Sequence, residues 1–247
     1  MRLCVRASLL VWLLFTLVAL NGCTPAHMAV SPQLAAGAPA MPVRGNPQYF
    51  WQDGFSFGPY RVSGKDRSWV TATGFAKTRD WLHLFGSDAR QTLAFTLTPP
   101  HGSPLACRCT TRANQQVLEA SHSRWGELSL QLGGEVNYAC RFQPLGGGSG
   151  WDLGLRRTGG AYNLSGFLLG PTGQVRIEGT NALHGTSIGL SETTGYRFFR
   201  QGQEVGAVEV INQGSVRLSP WLDPQTKAAL AATAAALLLY KDVSPRY

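Results

Sequence analysis

Acidic side chains close to tryptophans are the first residues of this 247-residue chain that could do chemistry. Asp66 and Asp80 stand beside Trp69 and Trp81 in the sequence. Carboxylate pairs next to aromatic rings are the working parts of many glycan hydrolases. The spacing alone does not place the two carboxylates across a substrate, and loop aspartates are ordinarily exposed turn residues. A glycan or peptidoglycan hydrolase that uses such a pair is therefore the alternative interpretation.

A second catalytic spacing surrounds Ser187. The run Gly185-Thr186-Ser187-Ile188-Gly189 has the written form Gly-x-Ser-x-Gly, which in α/β-hydrolases lies where a strand turns into a helix. Here residues 190–194 lead toward another strand, so the sequence favours a loop. Four histidines follow the N-terminal region without metal-ligand spacing: His83, His101, His122 and His184. We predict no metal, no cofactor and no catalytic residues, and we expect that the protein is not an enzyme.

Three cysteines lie in the part of the chain that is predicted to fold, namely Cys107, Cys109 and Cys140. Cys107 and Cys109 are two residues apart in a strand-like run, which places both on one face of a strand. Cys140 lies in a second such run, so either cysteine could bond to it across neighbouring strands and leave one free thiol. Three thiols without a histidine at ligand spacing match zinc poorly. The pattern favours a disulfide formed in an oxidising compartment.

The first 22 residues are predicted to be an export signal. Arg2 and Arg6 precede an apolar run over residues 9–20, which is too short to cross a membrane. The next residues, Leu20-Asn21-Gly22-Cys23, resemble the lipobox of bacterial lipoproteins. The resemblance implies cleavage after residue 22 and acylation of Cys23 by diacylglycerol and palmitate. Because Thr24 follows the cysteine, it also implies an outer-membrane protein that faces the periplasm.

Residues 23–48 are predicted to be a flexible tether. They are mostly small residues and prolines, with a single charge at Arg44 and no apolar period. A coil of this length would hold a domain about 25–30 Å from its anchor. Aromatic residues begin at Tyr49, so we predict a single folded domain over residues 49–247.

The composition favours many short strands. The chain is 44% hydrophobic and 15% charged, which excludes a disordered chain and a polytopic membrane protein, and it contains 29 glycines and 14 prolines. About thirteen strand-like segments lie between residues 55 and 218, including one at 187–190, with turns such as Gly133-Gly134. Residues 80–85 are not assigned, and residues 114–122 fit either a helical turn or a strand.

The C-terminal residues predict a helix without a polar side. Asp223 suits the N-cap, Pro224 the first turn and Lys241 the end, so the helix is predicted over residues 223–241. Residues 228–240 hold no charge and one polar residue, Thr233. This stretch spans roughly 20 Å, short of the ~30 Å of bilayer hydrocarbon, so protein must surround it.

A curled or closed sheet can cover such a helix on nearly every side. The predicted fold class is therefore mainly β, an antiparallel barrel of about twelve strands around the C-terminal apolar helix. Its leucines are predicted to fill the barrel: Leu230, Leu237, Leu238 and Leu239. The alternative is a helix lying between a sheet and a dimer partner.

The hairpin-like run over residues 196–209, YRFFRQGQEVGAVE, followed by this helix resembles the tubby C-terminal-like fold. That fold is a closed barrel around a central hydrophobic helix. The resemblance implies association with lipid or membranes and, in eukaryotic members, phosphoinositide binding in a cationic pocket. No residue-level lipid motif matches here, and a bacterial envelope is not expected to offer phosphoinositides, so that ligand is not carried over.

The distribution of charged residues indicates which binding partners to expect. The formal net charge is +8, and the basic residues are mostly arginines scattered singly along the chain. Nucleic-acid binding would favour a continuous basic stripe, so no nucleic acid is expected. We expect a lipid-anchored scaffold or binding protein of the cell envelope, whose exposed arginines and tryptophans meet a membrane head group, a glycan or an envelope protein.

Overall fold

Thirteen strands and two helices make up the part of the chain that the computed structural model describes, which is residues 25–49, 53–79, 82–122, 126–158 and 163–244. The helices are α1 (Pro32–Gly37) and α2 (Pro224–Leu239). The strands are β1 (Met41–Arg44), β2 (Gly54–Phe57), β3 (Tyr60–Arg67), β4 (Thr71–Arg79), β5 (Leu82–Thr98), β6 (Leu105–His122), β7 (Gly126–Pro144), β8 (Trp151–Thr158), β9 (Ser165–Gly170), β10 (Gly173–Thr180), β11 (Gly195–Arg200), β12 (Gln203–Glu209) and β13 (Ser215–Leu218).

Twelve of the strands form a closed antiparallel ring. Their order is β3-β2-β1-β13-β12-β11-β10-β9-β8-β7-β6-β5, and pairing of β3 with β5 closes it. The remaining strand, β4, pairs with β5 outside the ring. The predicted fold class, mainly β with a barrel of about twelve strands and a C-terminal helix, is confirmed.

Helix α2 runs through the barrel. The Asp223 side chain caps it by accepting a hydrogen bond from the Thr226 N–H at 2.8 Å. Most of the helix interior is alanine, which lets the strands close around it, and Ala232 has no exposed surface. The hydroxyl of Thr233 is satisfied within the helix because it donates to the Ala229 carbonyl at 3.0 Å. The four leucines that were predicted to fill the barrel are all buried: Leu230, Leu237, Leu238 and Leu239.

The two ends of α2 define two ends of the barrel. We call the end at the helix N-terminus the lower end and the end at its C-terminus the upper end. At the upper end, side chains from the wall satisfy the last helix carbonyls. Tyr138 donates to the Ala236 carbonyl at 2.8 Å, Gln48 donates to Leu238 at 2.7 Å, and Arg67 donates to Leu239. These bonds fix α2 along the barrel axis.

Three strands continue beyond the upper end of the ring. β5, β6 and β7 have 17, 18 and 19 residues, about three times the length of an ordinary strand. We call β4 together with residues 82–90, 112–122 and 126–134 the projecting sheet. Gly133-Gly134, predicted as a turn, lies inside β7 opposite a register shift between Gln116 and Val117. The turn prediction is wrong because β6 continues as a partner strand across the two glycines.

The predicted tether is folded where the structure describes it. Met28 forms a β-bridge with Leu183, Ser31 caps α1, and β1 enters the ring between β13 and β2. Leu34 is 3% exposed and packs in a small cluster against the barrel wall. We call residues 25–44 the N-terminal segment. A free coil was expected because its apolar residues lack a period, but Met28, Leu34 and Val43 are buried against the barrel instead.

Other strand predictions differ locally from the structure. Residues 114–122 belong to β6 and residues 82–85 to β5, whereas residues 80 and 81 lie outside the described parts of the chain. The predicted strand at 187–190 is part of a loop over residues 181–194. In this loop the Leu190 N–H donates to the Asn181 carbonyl at 3.0 Å, which is a turn contact rather than a ladder. Within the described residues, no helix is long and apolar enough to cross a membrane.

Candidate functional site

The inside of the barrel is filled by α2 and by large side chains from the wall. Tyr138, Phe142, Trp151 and Phe198 are each at most 2% exposed and belong to the same core as the helix. A ligand that binds without unfolding the barrel must therefore meet its outer surface or its ends. Two concave regions on the outer wall border the N-terminal segment.

The first region, which we call the outer groove, is a cavity of about 670 Å³ near the lower end. It lies between α1, the β11–β12 hairpin and residues 219–222. Aromatic, amide and charged side chains line it together: Gln33, Arg197, Phe199, Gln203, Glu204 and Trp221. Flat apolar rings next to planar hydrogen-bonding groups suit a polar ligand with an apolar face.

An ion pair forms the floor of the outer groove. Arg197 Nη2 lies 2.6 Å from Glu204 Oε2, and the same carboxylate oxygen accepts from the Ser31 N–H at 3.1 Å. The Glu204 side chain is only 3% exposed. The hydrogen bond to this carboxylate raises the pKa of Arg197 above its ordinary value. The positive charge of Arg197 is therefore directed at Glu204 rather than at the open part of the groove.

Buried polar atoms at the same ion pair still lack partners. Glu204 Oε1 and Arg197 Nε have no hydrogen-bond partner among the described residues. A buried acceptor or donor without a partner is costly. This part of the groove therefore favours a hydrogen-bonding ligand over an apolar one.

Two aromatic rings line the outer groove, and they differ in their contacts and in their exposure to solvent. Phe199 is held between the guanidinium groups of Arg176 and Arg197, whose Cζ atoms lie 4.7 and 5.0 Å from its ring centre. These cation–π contacts fix the orientation of the ring. Trp221, by contrast, is 91% exposed on the segment between β13 and α2. One ring is fixed in the wall and the other is free to receive a ligand.

The second region, which we call the upper pocket, is a cavity of about 650 Å³ between the start of the N-terminal segment and the β12–β13 turn. His27 Nδ1 lies 3.0 Å from Glu209 Oε1. Glu209 also accepts from Asn212 Nδ2 at 3.2 Å and from Ser215 Oγ at 3.3 Å. His184 lines the same pocket, and its N–H donates to the His27 carbonyl at 2.8 Å.

These contacts hold the N-terminal segment against the wall. In the described parts of the chain, the hydrogen bonds of the Glu209 side chain go to His27, to Asn212 in the β12–β13 turn and to Ser215 at the start of β13. Among the described residues, no group of three or more histidine, cysteine or acidic residues could hold a metal ion. Because Glu209 and His184 both hydrogen-bond to His27, we interpret the upper pocket as the place where the N-terminal segment is attached to the wall.

The structure joins Cys109 to Cys140, with an S–S distance of 2.11 Å. The two residues are direct register partners on β6 and β7, whereas Cys107 lies opposite Phe142. Cys107 is a free buried thiol, and burial raises its pKa to about 12. The sequence allowed Cys140 to pair with either Cys107 or Cys109, and the register of β6 against β7 selects Cys109.

The other predicted site residues are not brought together. Asp66 is exposed on β3, and Asp80 lies outside the described residues, as does Cys23. Ser187 lies in the loop over residues 181–194 and is exposed. The structure thus places neither the carboxylate pair nor the serine in the outer groove.

The outer groove was not predicted from the sequence. Its wall on one side is α1, which lies in the predicted tether. Ser31 followed by Pro32 is a helix-start signal that was present in the sequence, since serine at the N-cap and proline at N1 favour a helix. The ion pair between Arg197 and Glu204 depends on the hairpin register and on the contact with Ser31, which no local pattern shows.

Comparisons of this chain with protein-family models, with curated proteins and with solved structures found no match.

Proposed function

We propose that the protein is a lipid-anchored binding protein of the cell envelope and that its outer groove binds a glycan. In this proposal Cys23 is acylated, the export signal directs the chain to the outer membrane, and the barrel acts as a rigid scaffold. The disulfide between Cys109 and Cys140 supports an oxidising compartment. The closed barrel around α2 supports the proposed likeness to the tubby C-terminal-like fold.

The exposed indole of Trp221 is the observation that carries the proposal. A tryptophan that is 91% exposed leaves a large apolar face in water, and covering such a face contributes about 1.5–3 kcal/mol. Sugar rings have one apolar face and a rim of hydroxyl groups. The ring of Trp221 suits the apolar face of a sugar, and the amides of Gln33 and Gln203 suit its hydroxyl groups.

The charge of the outer groove favours a neutral ligand over a phosphate head group. Binding of a phosphate draws on cations that are free to pair with it. Arg197 is the single cation among the described lining residues, and Glu204 already occupies it at 2.6 Å. A glycan needs hydrogen-bonding groups rather than net charge, so it fits this surface better.

The carboxylates favour binding over hydrolysis. Glycoside hydrolysis ordinarily uses two carboxyl groups roughly 5–10 Å apart on either side of the scissile bond. Glu204 is the single carboxylate among the described lining residues of the outer groove, and it is buried in an ion pair. We therefore propose recognition of the glycan without its cleavage.

The test is co-sedimentation of the unacylated protein with purified peptidoglycan sacculi. Trp221→Ala is expected to weaken binding about tenfold, equivalent to ~1.4 kcal/mol, because the sugar loses its stacking partner. Trp69→Ala is the matched control, since Trp69 is 92% exposed but lies away from the outer groove. Equal losses in both variants, or no sedimentation of the wild type, would contradict the proposal. Release of soluble sugar fragments would favour the hydrolase instead.

A further inference from the structure

The path of the N-terminal segment restricts where an acyl anchor on Cys23 can lie. The Ala26 carbonyl accepts a hydrogen bond from Asn212 Nδ2 at 2.8 Å. Three peptide units separate Cys23 from Ala26, and consecutive Cα atoms are about 3.8 Å apart. The Cα atom of Cys23 therefore lies at most about 11 Å from that of Ala26, wherever the intervening residues run.

Ala26 is fixed at the upper end of the barrel. Its partner Asn212 belongs to the β12–β13 turn, and Gly214 in that turn lies against Leu238 near the C-terminus of α2. The next residues hold the same position, because Met28 bridges Leu183 and the Ala29 N–H donates to the Ala182 carbonyl at 3.1 Å. An acyl group on Cys23 would therefore be attached close to the upper end of the barrel, without a long spacer.

Exposed apolar side chains are concentrated at the same end. Beside the N-terminal segment, Ile188 is 75% exposed and Leu190 is 40% exposed in the loop over residues 181–194. The His184 N–H donates to the His27 carbonyl at 2.8 Å, so the loop is held close to the segment. Six of the ten exposed large apolar residues in the described parts of the chain lie at the upper end: Tyr49, Trp69, Val70, Phe75, Ile188 and Leu190.

We infer that the upper end of the barrel lies against the membrane and that the loop over residues 181–194 contacts the lipid surface through Ile188 and Leu190. The inference rests on the proposed acylation of Cys23. Acyl chains that hold residue 23 in the bilayer give the nearby loop a high effective concentration at the lipid surface. Partial insertion of isoleucine and leucine then removes apolar surface from water. The outer groove, near the lower end, faces away from the membrane.

The test places an environment-sensitive dye at one of two loop positions in the acylated protein. Ile188→Cys probes the proposed contact, and Leu145→Cys is the matched control because Leu145 is 63% exposed in the turn between β7 and β8 at the lower end. Buried Cys107 and the bonded pair do not compete for the label. Each protein is reconstituted in phosphatidylethanolamine–phosphatidylglycerol vesicles that contain a nitroxide-labelled lipid.

We expect a blue shift and several-fold stronger quenching at position 188 than at position 145. Equal quenching at both positions, or stronger quenching at 145, would overturn the inference while leaving acylation intact. Acylation is measured separately by mass spectrometry. A mature protein without an acyl group on Cys23 would refute the proposed anchor and the inference together. A Cys23→Ser variant, which keeps the loop, is expected to show no quenching at either position.

Discussion

The lower and upper parts of β5, β6 and β7 belong to the same strands but have opposite surroundings. In the lower parts, Phe95, Cys107 and Phe142 are at most 3% exposed because α2 packs against them. In the projecting sheet, Phe75 is 46% exposed, although β4 pairs with β5 along its whole length. Both parts are thus hydrogen-bonded ladders, although, among the described residues, β4 and residues 126–134 of β7 are each paired on one side only. The larger difference between the two parts is the burial of their side chains. Burial of side chains against α2, rather than the strand ladder alone, therefore makes the barrel a stable unit.

A charge placed in α2 should have the largest effect on the stability of the barrel. Ala232→Arg is expected to destabilise the protein by on the order of 3–5 kcal/mol, because it buries an unpaired cation in the barrel. The same change in the projecting sheet, Ala76→Arg, is exposed and should alter the free energy of unfolding by less than about 0.5 kcal/mol. Urea denaturation measures both. Similar stabilities of the two variants would mean that α2 is not enclosed.

Removal of the disulfide should have the next largest effect. The bond joins β6 to β7 just below the projecting sheet and connects residues 31 apart in the chain. The double change of Cys109 and Cys140 to alanine is expected to cost about 2–4 kcal/mol. Cys107→Ala, which removes a buried thiol from the same face, is expected to cost about 1 kcal/mol. Equal losses in the two proteins on urea denaturation would show that the cross-link contributes nothing beyond packing.

Alanine substitutions at two glycines, one in the barrel wall and one in the projecting sheet, should have the smallest effects on stability. A Cβ atom on Gly166 would meet the backbone oxygen of Gly154 in the barrel wall, which cannot move without disturbing β8. A Cβ atom on Gly86 would meet the ring of Phe75, which is partly exposed and can rotate away. Thermal unfolding of the alanine variants is expected to show a loss of about 1–3 kcal/mol for Gly166→Ala and less than about 1 kcal/mol for Gly86→Ala. The reverse order would contradict the assignment of the rigid wall.

The fold was predictable where local composition and global packing agree. Residues 228–240 are apolar on every side, and this property alone led to a closed sheet around α2. The length of β7 was not predictable, because Gly133-Gly134 carries a turn signal that only the neighbouring strand overrides. The N-terminal segment was missed for a similar reason, since Met28 and Leu34 show no periodicity and gain their burial from a distant wall.

The candidate site was less predictable than the fold. Trp221 is visible in the sequence, but its exposure and its place beside Gln203 follow from the packing of α1 on the β11–β12 hairpin. The pairing of Arg197 with Glu204 sets the charge of the outer groove and depends on the same packing. Arg197 and Glu204 are only seven residues apart, but the burial of Glu204 also depends on Ser31, which is 173 residues away in the chain, and no local spacing shows that contact.

Native-state hydrogen exchange measures whether the enclosed helix makes the lower parts of β5, β6 and β7 more stable than the projecting sheet, because it compares the two parts of the same strands in one experiment. Amides in the lower parts, at residues 93–98, 105–110 and 136–143, should exchange only through global unfolding, since their strands enclose α2. Amides at residues 83–88 and 114–117 of the projecting sheet, which lie beyond the core residues Ala89 and Ala113, should exchange through local opening at a lower free energy. Equal protection of the two parts, or stronger protection of the projecting sheet, would show that packing against α2 does not determine which part of the strands is more stable.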